Sequence, residues 1–186
     1  MKTLTAPVRH KLTVNDYHKI AEAGILTEDD RVELIEGELI DMAPIGSSHA
    51  DYVDRLAELL FSQIGGKFRV RIQNPVQLDD YSEPEPDIVI AKNRSYREAH
   101  PGPQDILLLI EVADSTLKYD RDIKIPLYAR CGIPEVWLID VQNKRLEIHR
   151  QPSQEGYRQI LLPASSESVS PLLVAGIGIR IAKLWS

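Results

Sequence analysis

Apolar positions repeat with two different periods along the chain, and the switches between them predict the elements. Tyr17, Ile20, Ala21 and Ala23 recur at helical spacing behind Thr13-Val14-Asn15-Asp16, a capping sequence, and Gly24 ends the run. Residues 31–42 predict a β-hairpin: Val32, Leu34 and Ile35 lead to Glu36-Gly37, and Leu39, Ile40 and Met42 return. Ser48, with Asp51 three residues on, is placed to cap a helix. That helix carries Tyr52, Leu56, Leu59 and Leu60 on one face and stops at Gly65-Gly66.

Residues 67–78 alternate as a strand, with Phe68, Val70 and Ile72 on one face and Arg69, Arg71 and Gln73 on the other. A polar loop leads into a short apolar strand at 86–91. After a second polar loop at 93–104, residues 105–113 are nearly all apolar and predict a central strand buried on both faces. A helix over 117–130 is closed by Cys131-Gly132. A further apolar strand at 134–141 contains Trp137, expected in the core rather than as a base-stacking platform. Residues 144–150 and 157–162 predict two more exposed strands, and 177–184 a last one. A strand–helix–strand passage and a buried central strand imply a mixed β-sheet flanked by helices, an α/β (α+β) class of fold. An N-terminal helix and hairpin precede the sheet and a β extension follows it.

Composition narrows this picture. The 186 residues, 43% of them hydrophobic, suit one domain over 1–186 with its core at about 31–141. No apolar run reaches the roughly 20 residues needed to span a bilayer. The N-terminal stretch holds Lys2, Arg9 and Lys11 but no apolar block of the kind that directs secretion. Cys131 is the single cysteine, which excludes an internal disulfide or a cysteine-built zinc site, and a reducing cytoplasm fits. The net charge of −6 argues mildly against a nucleic-acid partner, whose phosphates favour a basic surface. It leaves open how the 22 Lys and Arg are arranged, and a bound cation would offset some of the acids.

Two acids stand in apolar strands. Asp87 opens the strand Pro86-Asp87-Ile88-Val89-Ile90-Ala91 and shares a face with Val89 and Ala91; an exposed strand end is the plain alternative. Glu111 lies inside Ile106-Leu107-Leu108-Leu109-Ile110-Glu111-Val112-Ala113. Its burial is costly unless a metal, a cation or hydrogen-bond donors compensate. A metal site and a buried ion pair both satisfy that requirement. Candidate cations follow in 115–124. Asp120, Lys124 and Tyr128, four residues apart, share one helix face, and Ile123 and Leu127 another. Pro126 suits only a first helical turn or a kink, which sets Lys124 near the helix start.

Pro86-Asp87 followed by Glu111-Val112-Ala113 resembles the PD-(D/E)xK signature of restriction-type nucleases. More narrowly, the chain resembles the Uma-two-type endonucleases, also known as domain of unknown function 820. The likeness runs through Val32 to Leu39, Ser48-His49, Glu85-Pro86-Asp87-Ile88, Glu111-Val112 and Tyr119-Asp120-Arg121-Asp122-Ile123-Lys124. It is most specific in Tyr128-Ala129-Arg130-Cys131-Gly132-Ile133-Pro134-Glu135-Val136-Trp137-Leu138-Ile139-Asp140. The resemblance implies a restriction-endonuclease-like core with Asp87, Glu111 and a lysine as the catalytic set. The signature expects lysine two residues after the glutamate, where this chain has Ala113. The resemblance then points to Lys124, with Lys118 nearer in sequence but a poorer match.

The activity so implied is metal-dependent hydrolysis of phosphodiester bonds in DNA, as an endonuclease. Mg²⁺, or Mn²⁺, would be held by Asp87 and Glu111 with solvent. The resemblance adds Glu33 to the metal shell, with Glu36 as the alternative, and either can equally be a solvated strand residue. Further candidate contacts to substrate or phosphate are His49, Gln73, Arg71 and Tyr128. His49 sits at a helix N-terminus, where an anion is favoured and a structural hydrogen bond is the alternative. Arg69, Arg71 and Gln73 form either a polar wall beside the site or a solvated face. Exposed strand edges in 144–185 suit a homodimer. The rival function is a catalytically reduced nuclease fold serving as a binding or assembly module, favoured by Ala113 and the acidic net charge.

Overall fold

The computed structural model describes residues 8–27 and 29–185; Lys2 lies outside them. Helix α1 (Val14–Glu22) begins at a full capping box. Thr13 accepts from the Asp16 N–H at 3.1 Å, and the Asp16 carboxylate accepts from the Thr13 N–H at 3.0 Å. Strands β1 (Val32–Ile35) and β2 (Glu38–Asp41) form the predicted hairpin, a two-stranded sheet of its own that touches the body at Leu34 and Glu83.

Helix α2 (Ser47–Ile64) begins one residue before the expected cap. Gly46, extended at φ −80°, is the N-cap, and its carbonyl accepts from the Ala50 N–H at 3.0 Å. Ser48 is therefore inside the first turn, and Asp51 pairs with Arg55 at 2.8 Å rather than closing a capping box. Strand β3 (Phe68–Ile72) is shorter than the alternation predicts. Gln73 turns to φ +47°, and Asn74 precedes Pro75, which has no N–H for a ladder and restricts the residue before it.

The main sheet has the order β3-β4-β5-β6-β7-β8, with β4 (Ile88–Lys92), β5 (Ile106–Ala113), β6 (Glu135–Asp140), β7 (Arg145–Ser153) and β8 (Gly156–Leu161). Only β5 and β6 run parallel, joined by the helical crossover, so the sheet is mixed as expected. Alternate residues of the central strands feed two cores. One packs Ile88, Ile90, Leu108, Ile110 and Trp137 against Val53, Leu56, Leu60 and Ile64 of α2. The other packs Val89, Leu109, Val136 and Leu138 against Ile125, Leu127 and Tyr128 of the crossover. Each such side chain contributes roughly 1.5–3 kcal/mol when fully buried. A carboxylate among them must therefore be compensated.

The crossover is α3 (Leu117–Tyr119), a π turn (Asp120–Lys124) and α4 (Ile125–Arg130) in continuous succession. Pro126 explains the widening: it offers no N–H to the Asp122 carbonyl, and its ring needs space there. The Ile125 N–H instead reaches back five residues to the Asp120 carbonyl. The extra residue turns Ile123 outward while Leu127 stays buried, so the apolar stripe expected of that pair does not form. The tail differs too. Residues 177–184 give a two-residue strand, β10 (Ile179–Arg180), paired with β9 (Ser168–Val169), and then a 3₁₀ helix (Ile181–Leu184) whose apolar residues join the α2 core.

Candidate functional site

Register brings the two strand acids together. Ile88 of β4 stands opposite Ile110 of β5, so Asp87 and Glu111, one residue further out on each strand, leave the sheet on the face of the crossover helix. Asp87 is anchored by the Val112 N–H, which donates to Oδ2 at 2.8 Å. Its Oδ1 meets His49 Nε2 at 3.0 Å and accepts from Gln73 Nε2 at 3.3 Å. Gln73 also donates its main-chain N–H to the Asp87 carbonyl at 2.9 Å. The left-handed turn at Gln73, uncommon for a side chain of this kind, thus places both of its donors on one aspartate.

Glu111 is compensated from the crossover. Lys124 Nζ lies 2.9 Å from Glu111 Oε1 and 3.2 Å from Glu33 Oε2, and Tyr128 donates its hydroxyl to Glu111 Oε1 at 2.5 Å. The Lys124, Glu111 and Glu33 side chains are 6%, 4% and 5% exposed. Glu33 Oε2 also accepts from the Glu85 N–H at 3.1 Å. Burial pushes the Glu111 carboxyl up to about 8, against the pull of Lys124. Burial works to lower the Lys124 ammonium, but Glu111, Glu33 and Asp120 outweigh it and hold it well above its usual value. Lys124 therefore stays charged, and it is the carboxylates that crowd.

Asp120 adds to the crowding. It is buried, accepts from Thr116 Oγ1 at 2.6 Å, and burial raises its carboxyl. Burial likewise raises Glu85, which Arg31 approaches at 3.8 Å. These groups line a cleft of about 340 Å³ between the hairpin, the start of α2 and the crossover. Two polar atoms of the cleft are buried without a hydrogen-bond partner among the described residues: the Tyr119 hydroxyl and His49 Nδ1. Such atoms are rare in folded proteins, and here both belong to residues that line the cleft.

The donor set suits a hard divalent cation. Mg²⁺ is bound through one or two carboxylates and keeps several waters, and Asp87 and Glu111 offer two, with a surplus of negative charge behind them. Among the described residues, no three His, Cys, Asp or Glu side chains already stand together as a metal cage. Glu33 faces Lys124 and the Glu85 N–H.

The cleft gathers Asp87, Glu111, Lys124, Glu33, His49 and Gln73. Glu36 is elsewhere, at the hairpin turn with φ +49° and paired with Arg130 at 2.9 Å. Lys118 is 91% exposed and bonded to Asp122, on the outside of the crossover. One expected substrate contact needs correcting, and another lies outside this cleft. Tyr128 has no exposed surface and sits behind Glu111, so it braces the carboxylate and cannot touch a ligand. Arg71 lies outside the cleft, over the ring of Tyr96 at 5.7 Å. Asp120, Tyr119, Thr116 and Arg31 also line the cleft and are not among the site residues expected from the sequence. Asp120 was visible as an acid one helical turn before Lys124; the others carry no sequence signal of their own.

A mixed sheet flanked by helices, with acids on neighbouring strands and a lysine returned to them, defines a restriction-endonuclease-like fold. The chain belongs to the Uma2 family, described as "Putative restriction endonuclease", which it matches over residues 14–182. The match extends past the segment on which the sequence resemblance rests and takes in the β tail. Among solved structures, the chain is similar to a "putative nuclease belonging to DUF820 from Anabaena variabilis ATCC 29413". The TM-score is 0.72 at 16% identity, covering 94% of this chain and 97% of that one. The type IIG restriction endonuclease BpuSI aligns with 77% of this chain and 16% of its own, at 15% identity and a TM-score of 0.44. No curated protein matches the sequence.

Proposed function

We propose that this protein is an endonuclease that hydrolyses phosphodiester bonds in DNA with Mg²⁺ or Mn²⁺, using Asp87, Glu111 and Lys124. The observation that carries the reading is the Lys124–Glu111 contact at 2.9 Å in the cleft that also contains Asp87. Family membership supports a nuclease; the metal and the DNA substrate are our inference from the acids and the cleft.

Asp87 and Glu111 would hold the cation, and Glu33 is placed to join them if Lys124 shifts. A cation there would polarise a phosphoryl oxygen and acidify a bound water. The protein's own groups do the rest. Val112, Gln73 and His49 fix the Asp87 carboxylate before substrate arrives, which removes a reorganisation cost from the reaction. The Lys124 ammonium orients the attacking water or offsets charge developing on the phosphoryl group. The hydrogen bond to Asp87 raises the His49 imidazole, which favours a charged ring beside that carboxylate.

Purified protein with Mg²⁺ or Mn²⁺ should nick supercoiled plasmid, and Asp87→Ala should remove at least two orders of magnitude of rate. Intact fold with no cleavage of DNA or RNA under any divalent ion would overturn the reading in favour of a binding module. That alternative has one observation behind it, the engagement of Lys124 by two carboxylates at once. We further place the chain in the reducing cytoplasm and propose a homodimer through the outer edge of β8, which ends the sheet beside exposed Ile160 and Leu162. A monomer mass by light scattering would remove the dimer.

A further inference from the structure

The acidic protein has one strongly basic edge. Residues 67–73 and 92–97 contain Lys67, Arg69, Arg71, Lys92, Arg94 and Arg97, six of the 22 cations, and none of the 28 acids. These segments are β3 and the end of β4 with the loop after it, paired antiparallel, and β3 is an edge of the main sheet. Arg69, Arg71, Arg94, Tyr96 and Phe61 line a groove there, separate from the acidic cleft.

The arginines are arranged to meet something else. Tyr96 braces two of them, with Arg94 4.9 Å and Arg71 5.7 Å from its ring centre. The Arg71 Nε is buried without a partner among the described residues, and its Nη2 makes only long contacts of 3.5 and 3.4 Å, to Asn74 and Pro75. Those lie beyond the usual range for an N–H···O bond. Arg69 is exposed, and its side chain has no hydrogen bond or ion pair among the described residues. Arg94 alone is committed, to Asp105. Phe61, on α2, presents a ring that is 56% exposed. A row of guanidinium groups beside a free aromatic ring fits a nucleic-acid strand, whose phosphates take the charge and whose bases stack. An acidic peptide would use the charge and leave the ring unexplained.

The groove and the cleft adjoin along the chain at residues 73 and 74. Asn74 lines the groove, while the preceding residue, Gln73, lines the cleft and donates to Asp87. We propose that the β3 edge groove binds the sugar–phosphate backbone of a single nucleic-acid strand and delivers it along β3 to Asp87 and Glu111. This inference rests on the nuclease reading for its destination and on the groove's own residues for its ligand.

The test is fluorescence anisotropy of the full chain with a labelled single-stranded DNA oligonucleotide in EDTA, over a series of salt concentrations. Arg69→Gln should lower the slope of log K against log salt by about 0.7, the loss of one phosphate contact on a single strand. Phe61→Ala should weaken binding on the order of tenfold with the slope unchanged, because stacking releases no counterions. Lys144→Gln, exposed in the turn between β6 and β7 and outside the groove, is the control and should change neither. All three lie on the surface, and melting temperatures establish that they fold. Wild-type-like binding by both groove variants, or no binding by the wild type, would overturn the groove. Since the assay reads binding without cleavage, either result leaves the plasmid test of the nuclease reading standing on its own.

Discussion

Lys124 Nζ sits 2.9 Å from Glu111 Oε1 although it lies 13 positions further along the chain, and Ala113 occupies the position two residues after the glutamate. The crossover helix folds back over the β5–β6 face and delivers the ammonium from above the sheet. Moving the lysine to a helix has an energetic consequence. Ala113 is itself fully buried in the apolar core on that face, whereas Lys124 brings its ammonium against Glu33 and Glu111 in a buried polar cluster.

Lys124→Met should therefore lose activity and stability together. Breaking a buried pair from one side leaves uncompensated charge and costs about 3–5 kcal/mol. Urea denaturation should show that loss, and plasmid nicking should fall by about two orders of magnitude or more. Adding Glu111→Gln to Lys124→Met should restore part of the stability and none of the activity. A double variant as unstable as the single one would show that Lys124 is held chiefly by Glu33.

Tyr128→Phe separates support from chemistry. The hydroxyl donates to Glu111 Oε1 from a fully buried position, and a hydrogen bond to a charged group contributes about 1.5–3 kcal/mol. The variant should be destabilised by roughly that amount on the same scale. Cleavage should fall several-fold through kcat with KM for DNA unchanged, since Tyr128 does not reach the cleft surface. A rise in KM alone would contradict its placement behind the carboxylate.

The sheet and the Glu111 problem were legible in the sequence because both rest on local pattern. An acid inside Ile106 to Ala113 violates its surroundings whatever the fold, and the alternation of 86–91 sets Asp87 on a definite face. What was not legible depends on backbone events that leave little trace in composition. The π turn follows from Pro126, yet a proline equally permits a helix start or a kink, and only the docked helix shows that Ile123 turns out while Lys124 and Tyr128 both reach Glu111. Ser48 looked like a cap because a serine with an acid three residues on has that form; Gly46 takes the position without any side-chain bond. Gln73 and Arg71, read as one strand face, serve two different places because the chain turns left-handed at Gln73. Tyr119 joins the cleft lining by tertiary docking alone.

Divalent-ion affinity should rise with pH, and His49 should account for part of the rise. The Asp87 carboxylate raises the His49 imidazole above its usual value, with Asp114 adding and burial and Arg31 opposing. Below that raised value the ring is charged and holds the carboxylate that a cation needs. As pH rises through it the charge is lost, and Asp87 becomes a better ligand. Calorimetric titration of Mn²⁺ between pH 6 and 9 should show a steeper gain for wild type than for His49→Gln. Glu111, pushed up to about 8, deprotonates across the same range in both proteins, so the difference between the two curves belongs to His49. Parallel curves would remove His49 from the site's electrostatics.

A last prediction concerns the acid limb of stability and lies away from the cleft. Glu147 of β7 is held down to about 2 by its bond with His149 and by Arg121, whose Nη2 donates to Oε1 at 2.7 Å. The folded value is depressed, so the unfolded chain binds the proton first. The stabilisation is present above the usual carboxylate value of 4.5 and is lost as pH falls from there towards 2. Glu147→Gln cannot follow that course, because its amide does not titrate. Melting temperatures taken from pH 6 down to 2 should fall more steeply for wild type than for Glu147→Gln, with the two curves converging near pH 2. Arg121 lies in the π turn two residues before Ile123, so the same comparison reads how firmly that turn is tied to the sheet. If the curves stay parallel down to pH 2, Glu147 does not anchor the crossover helix in solution.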